Sequence, residues 1–377
     1  MQFGKSSRSQ WLLEENCVFL NHGSFGATPK VVLDAQTRWR QRLELQPVRF
    51  MTQELPDALR AAAAELAGFV GAKGEDIVFV ENATAGINAV VRSLSFVPGD
   101  LIVTTNHVYG AVRKTLEFVC QHTGAKLIEA QVPFPIRNEA EIVAAIATQL
   151  NPRVKLLAID HITSPTALIF PVAEIIRLAK LQNIPVIVDG AHAPGMIPLH
   201  IESLNADWYV GNCHKWLFAP KGCGFLWTTP QKQKETHPTV ISHGLGSGYC
   251  HEFDWTGTRD FSAWLAVTEA IAFARQLGFT QIYTHNHNLA VWAGQLLVHA
   301  WGGRTNTPSS TTGAMTTVQV PAKKSTYGYQ ELHDYLWEFH RIEVPIIPFA
   351  NRLWVRISAQ IYNEPSEYRL LAEALLH

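Results

Sequence analysis

A chain of 377 residues that is 47% hydrophobic and 17% charged has the balance of a globular protein, which excludes disordered and fibrous classes. Its formal net charge of −1 gives no electrostatic reason to expect nucleic acid or an anionic membrane as partner. Five cysteines, odd in number and thinly spread, argue against a disulfide framework and for a reducing, cytoplasmic setting. Cys213 and Cys223 lack zinc-site spacing, so no metal is expected. No run approaches the ~20 apolar residues of a membrane helix. The opening MQFGKSSRSQWLLEENCVFL has no apolar stretch of signal-peptide length.

Strand-like and helix-like segments alternate from about residue 55 to 230. Residues 54–72 are alanine-rich and helical. DIVFVENATAGINAVVRSL reads as a strand, a polar turn and a helix opening near Thr84. DLIVTTNHVYGAVRKTLEFV repeats the pattern, with strand Leu101–Thr104 and a turn from His107 to Gly110. VKLLAIDHITSPTALIFPVAEIIRLAK is strand, turn and Pro-capped helix; IPVIVDG is an apolar strand; ADWYVGNCHKW and CGFLW supply two more. After residue 260, SAWLAVTEAIAFARQLG is a long amphipathic helix. The remainder, with Val318–Val320, Tyr327–Phe339, Leu353–Ile357 and a C-terminal helix, reads as a smaller α+β unit.

This rhythm of near-continuous apolar strands and helices marks an α/β protein with a parallel or mixed sheet covered on both faces. In such sheets ligands sit beyond the carboxyl ends of the strands. The polar residues collect there: Asn82 to Thr84, His107 to Tyr109, His161 to Ser164, Asp189 to His192, and His214 with Lys215.

Lys215 lies between apolar runs in VGNCHKWLFAPKGCGFLW. A desolvated lysine loses its proton more readily and becomes the reactive amine of a Schiff base; the alternative is a stem that snorkels its head to water. Asp189, at a buried strand end, must be paired to stay charged, by a protonated pyridine nitrogen or by a cap or turn of its own. The ENATAG turn offers either an ordinary N-cap or a phosphate site at a helix N-terminus.

Taken in order, the phosphate-type turn, the aromatic turn, DGAH and HK resemble the class V aminotransferase group of pyridoxal-phosphate enzymes, fold type I, and within it isopenicillin-N-epimerase-like proteins. The matching stretches are FLNHGSFGATP (19–29), ENATAGINAV (81–90), NHVYGAVR (106–113), DHITSPTALIFPV (160–172), VDGAHAPG (188–195), ADWYVGNCHKWLFAPKGCGFLW (206–227), WTGTRD (255–260) and VRISAQIYN (355–363). The resemblance implies a mostly parallel seven-stranded sheet in a large domain (21–260). A smaller C-terminal α+β domain (261–377) would be joined by residues 1–20. It implies pyridoxal 5′-phosphate held as an aldimine on Lys215, which also shuttles the α-proton. Asp189 would pair with the pyridine nitrogen. Tyr109 would lie over the ring, with His107 as second choice. Ala83, Thr84 and His214 would hold the phosphate, and Thr258 would reach it from the second subunit of a homodimer. His192 stands near the phenolic oxygen, where sulfur-transferring relatives carry Gln, and Ser164 where they carry Asn. Arg356, in the apolar WVRIS, would clasp the substrate carboxylate unless an internal salt bridge occupies it. Asn21, His22 and Arg49 would close over the substrate.

The same resemblance leaves the reaction open. An epimerase needs a proton donor on each face, a C–S β-lyase needs a leaving group on Cβ, and an aminotransferase needs room for a second substrate. The epimerase-like reading leads, with the lyase and aminotransferase as alternatives. Cysteine desulfurases use a cysteine on a C-terminal loop, whereas the last cysteine here is Cys250, so persulfide chemistry is disfavoured. A non-catalytic relative would have lost Lys215 or Asp189. A nucleotide binder would show G-x-G-x-x-G or a P-loop, and neither is present. Residues 242–255 fit either a roomy pocket or a dimer interface, and THNHN (284–288) reads as a solvated helix face.

Overall fold

The apolar segments read from the sequence pair into one sheet. In the computed structural model, which describes residues 3–305 and 308–376, the first strand is the two-residue β1 (Val18–Phe19). It is followed by β2 (Ile77–Val80), β3 (Leu101–Thr105), β4 (Lys126–Ala130), β5 (Val154–Asp160), β6 (Val186–Gly190), β7 (Trp208–Asn212) and β8 (Gly224–Thr228). Strands β2 to β8 form a seven-stranded sheet in the order β2-β8-β7-β6-β5-β3-β4, in which β8 alone runs against the others. The edge strand β4 is not legible in the sequence because most of its residues are only partly buried, which weakens the apolar signal.

Strand alternation divides the core. Val78, Val80, Leu156, Ala158, Ile187, Val210 and Leu226 cluster with residues of the helices Ala83–Ser93 and Gly110–Thr123. Phe79, Leu157, Ile159, Val186, Val188, Tyr209 and Phe225 cluster with the helices Leu55–Val70, Val172–Lys180 and Val267–Leu277. Each face is therefore covered, and β5 to β7 are buried nearly throughout.

The rest of the chain builds a second, three-stranded antiparallel sheet. Its members are β9 (Met315–Gln319), β11 (Ile346–Phe349) and β12 (Arg352–Ser358), with β12 central; β10 (Ile342–Glu343) pairs in parallel with β1. A third apolar cluster joins Leu20 to the helices Phe279–Trp301, Tyr329–His340 and Pro365–Ala374. Residues from Phe261 to Ala274 pack with the first cluster instead.

Two sequence expectations change. The helix read over SAWLAVTEAIAFARQLG is two, Ser262–Leu265 and Val267–Leu277. The THNHN segment is not a solvated face: Asn286 is buried against Gln360 (3.0 Å), His287 meets the Thr312 carbonyl (3.0 Å), and His285 packs edge-on to Phe3. Among the described residues, no helix is long and apolar enough to cross a membrane.

The N-terminal loop closes onto the end of β7 through Gly26. This residue has φ +71°, and a Cβ there would press on the His214 carbonyl and come within 2.9 Å of Lys215 O and 3.0 Å of its Cα. Only glycine accepts both the left-handed backbone and the close approach. Gly26→Ala is expected to cost roughly 2–4 kcal/mol, the sum of overpacking and backbone strain. Urea denaturation checks this, and a loss under 0.5 kcal/mol would contradict the tight packing.

Candidate active site

The carboxyl ends of β5, β6 and β7 open into a cavity of about 470 Å³. Asn82, Ala83, Thr84, Tyr109, Asp160, Ser164, Asp189, His192, Asn212, His214 and Lys215 line it, together with Ser24 and Phe25 from the N-terminal loop. Nearly all the cofactor residues expected from the sequence thus converge, from turns as much as 132 positions apart (Ala83 to Lys215).

Lys215 stands three residues beyond β7. The loop is held by the Cys213 and His214 amides, which both donate to Cys223 O (3.0 and 3.2 Å), and by Ala219 N–H donating to Cys213 O (3.1 Å). Burial, reinforced by the positive charge of Arg356 and opposed by Asp189, lowers the Lys215 pKa to about 7. His192 supports the same state. Its own pKa is pushed well down by burial and by Lys215, so the ring is neutral. The indole N–H of Trp216 donates to Nδ1 (3.3 Å), which assigns the ring proton to Nε2, 3.2 Å from Lys215 Nζ. A donor facing Nζ is compatible with a neutral amine and not with an ammonium.

Asp189 closes β6. Its Oδ1 accepts from the Ala191 amide (2.9 Å), an Asx-type turn that fixes the carboxylate at the strand end. Gly190 must be glycine because a Cβ would fall inside the Tyr209 ring. Burial raises the Asp189 pKa, while the Ala191 N–H and Lys215 pull it back. The adjacent strand places Asp160 directly opposite, in register with Asp189. Sequence reasoning missed Asp160; an acid at the end of an apolar strand was the signal available.

At the helix N-terminus the Asn82 side chain accepts from Ala85 N–H (2.9 Å), and Ala83 N–H donates to Asn212 Oδ1 (2.8 Å). Gly86 N–H donates to Asn82 O. Ala83 therefore lines the cavity with its amide already committed, and Thr84 is the residue of this turn placed to receive an anion at the positive end of the helix. Asn212 was not foreseen. His214, neutral with its pKa lowered to about 4 by burial, is held through Nδ1 on Cys223 O (3.0 Å). Tyr109 lines the cavity and is 45% exposed. His107 is excluded from it: the ring is buried, with Nδ1 on Thr166 (2.6 Å) and Nε2 on Val132 O (3.1 Å).

Arg356 reaches the same region from β12. One Nη donates to Ser164 O (2.6 Å) and Oγ (3.2 Å), the other to Ser24 Oγ (3.1 Å), and Nε is buried without a partner. Among the described residues no carboxylate pairs with it, so the internal salt bridge is absent. Burial lowers its pKa to about 10. Burying such a charge costs several kcal/mol, and hydrogen bonds to neutral groups return only about 1–3 kcal/mol each.

The remaining expectations divide. Asn21 bonds Glu343 (2.8 Å) and accepts from Ser24 (2.5 Å), so it orders the loop without lining the cavity. His22 is buried behind it, with Nδ1 on Tyr362 OH (2.7 Å), Nε2 on Lys215 O (3.0 Å), and a pKa lowered to about 3 by burial. Its role is to brace the lysine loop, not to cover substrate. Arg49 is exposed, faces Glu54 (3.7 Å) and stands outside the cavity lining. Thr258 is likewise exposed and outside the lining of its own chain. No residue of 242–255 lines the cavity.

A family profile, that of aminotransferase class-V, matches residues 18–338. A putative L-cysteine desulfhydrase 1 of Oryza sativa subsp. japonica is 32% identical, over 94% of this chain and 82% of that protein. Isopenicillin N epimerase of Streptomyces clavuligerus is 33% identical, over 98% of this chain and 97% of its own length. Among solved structures, an apo cysteine desulfurase from Thermococcus onnurineus NA1 superimposes with a TM-score of 0.83 at 21% identity, covering 99% and 97% of the two chains. The cystine C–S lyase C-DES, in complex with its reaction product cysteine persulfide, gives 0.82 at 21% identity, covering 96% and 97%.

The lysine carries a pH signature. The unfolded chain holds this proton up to about 10.5, the folded chain only up to about 7. Between those values the unfolded state binds more protons, so stability rises with pH through this window and is lost as pH falls through about 7. Chemical denaturation of cofactor-free protein is expected to show that rise, and Lys215→Met to flatten it. An identical slope in both would contradict a neutral lysine.

Proposed function

Since the chain belongs to the aminotransferase class-V family of pyridoxal 5′-phosphate enzymes, we propose that it removes the α-proton of an amino acid and expels a sulfur group from Cβ, as a C–S β-lyase of the cysteine or cystine type. The observation that carries this is the disposition of bases. Lys215, its pKa lowered to about 7 by burial, is a base in the cavity, while of the side-chain candidates for the opposite face His22 has both ring nitrogens bonded elsewhere and Tyr109 alone remains. β-Elimination needs a base on one face only. The order of the two readings is thereby the reverse of the sequence-based expectation.

The residues present fit the cofactor: a lysine whose pKa is lowered to about 7, a buried carboxylate one strand away, and a helix N-terminus with Thr84 at its mouth. When bound, its protonated pyridine supplies the electron sink that makes an α-proton acidic. Asp189 would hold the ring nitrogen protonated, Thr84 would receive the phosphate, and Tyr109 would cover the ring. His214 would join the phosphate only on protonation at Nε2, because its Nδ1 proton is given to the Cys223 carbonyl. Arg356, steered by Ser164 and Ser24, takes the α-carboxylate in a bidentate clasp and so fixes which Cα bond faces Lys215. Lys215 then takes the α-proton at Nζ, with His192 Nε2 bonded beside it. L-cysteine and water are converted to pyruvate, ammonia and hydrogen sulfide. The desulfhydrase relatives support this reading. The second reading, epimerisation, is supported by the epimerase relatives and by Tyr109, which lines the cavity and is placed to act as the opposing acid. Both readings include a homodimer, with Thr258 serving the partner's phosphate.

L-cysteine or L-cystine is expected to release pyruvate with the wild type and not with Lys215→Ala, which should also lose the visible absorption of lysine-bound cofactor. Formation of the D-isomer, carrying α-deuterium in D2O and without keto acid, would instead establish the epimerase, and Tyr109→Phe should then abolish inversion while leaving exchange through Lys215. Arg356→Ala is expected to raise KM for amino acids roughly 100-fold, the worth of a buried charge pair; an unchanged KM would remove the carboxylate assignment.

A further inference from the structure

Asp160 and Asp189 end adjacent parallel strands and stand opposite one another in register. Paired residues project to the same face, with the strands about 4.8 Å apart. Here that face carries Ala158, Ile187 and Val210 and opens into the cavity. Both carboxyl groups are buried, at 3% and 6% exposure. They differ in their partners. Asp189 has the Ala191 amide and the nearby Lys215, whereas Asp160 Oδ2 is buried with no donor in reach. His161 and Tyr209 bond each other (2.8 Å) through residues of opposite parity, on the other face of the sheet. Lys215 is the cation that acts on Asp189, Tyr209 is a neutral phenol that feels the Asp189 charge, and His192 and His214, which line the same cavity, are neutral.

We propose that Asp160 is a positioning residue held as the neutral acid, its O–H turned to Asp189, so that the pair carries a single negative charge placed on Asp189. Two carboxylates buried a strand apart cannot both be ionised without a large penalty, and one proton between them removes it. The proton belongs on Asp160, because ionised Asp160 would have only its own backbone amide and leave Oδ2 a bare buried acceptor, whereas protonated Asp160 is a donor facing its one charged neighbour. Burial and the charge of Asp189 both raise the Asp160 pKa well above the ordinary carboxylate range. The inference rests on the cofactor reading above and deepens it: the hydrogen bond from Asp160 keeps Asp189 anionic at a desolvated position, ready for a cationic ring nitrogen.

Infrared difference spectra between wild type and Asp160→Asn, recorded with and without pyridoxal 5′-phosphate, test this. Asparagine copies the neutral donor. A buried carboxylic-acid C=O band is expected in the wild type in both states and lost in the variant. The variant should bind pyridoxal 5′-phosphate within about two-fold of wild type. Asp160→Leu, which removes the donor, should bind it about ten-fold more weakly, the worth of one hydrogen bond to a charged group. Absence of the band, or an Asp160→Asn affinity as poor as that of Asp160→Leu, would overturn the proposal. If Asp160→Leu does not fold, the infrared comparison decides alone. A wild type that shows the band yet takes up no cofactor would uphold the shared proton and reject the cofactor reading separately.

Discussion

The cost of burying charge at the carboxyl ends of β5, β6 and β7 governs this molecule. The sheet is covered on both faces, so a polar group at a strand end meets protein before it meets bulk water. Lys215, Asp189 and Arg356 all meet that cost in one small volume. Each answers it differently: the lysine gives up its proton, Asp189 takes a backbone amide and a nearby cation, and Arg356 takes three neutral acceptors. Removing any one alters the balance for the others, since Arg356 depresses Lys215 while Asp189 opposes that effect.

Rigidity around these groups comes from close packing of loops, not from their own hydrogen bonds alone. Gly26 lets the N-terminal loop sit against the His214 and Lys215 backbone, and His22 then bonds the Lys215 carbonyl. Ser24, carried by the same loop, meets Arg356 from the second sheet and, through it, Ser164 beyond β5. Two distant stretches of chain thus clasp a guanidinium carried by a third. Its donors are thereby held in a fixed orientation.

Side chains with the same chemistry were separated by their surroundings. His107 and His192 both follow strands of the large sheet, yet one is committed to a threonine and a carbonyl while the other faces the lysine. Tyr109, two residues past His107, faces the cavity instead. The sequence spacing of a turn does not say which of its residues points inward; the neighbours each side chain meets decide it.

What the sequence by itself determined was the architecture and the location of chemistry. Near-continuous apolar runs require a sheet covered on both faces, and polar residues at the ends of those runs place a site there, because both patterns are local and survive without knowledge of contacts. The lysine between Asn212 and Trp216 and the acid after IPVIV were legible for the same reason. The weakly buried β4, the break in the helix after Leu265 and the inward face of THNHN were not, since each depends on what packs against it. Tertiary structure alone decided that Asp160 faces Asp189, that Asn212 holds the Ala83 amide, and that no carboxylate meets Arg356. Those facts depend on strand order and loop closure, and a linear chain holds no distance between residues that only folding brings together.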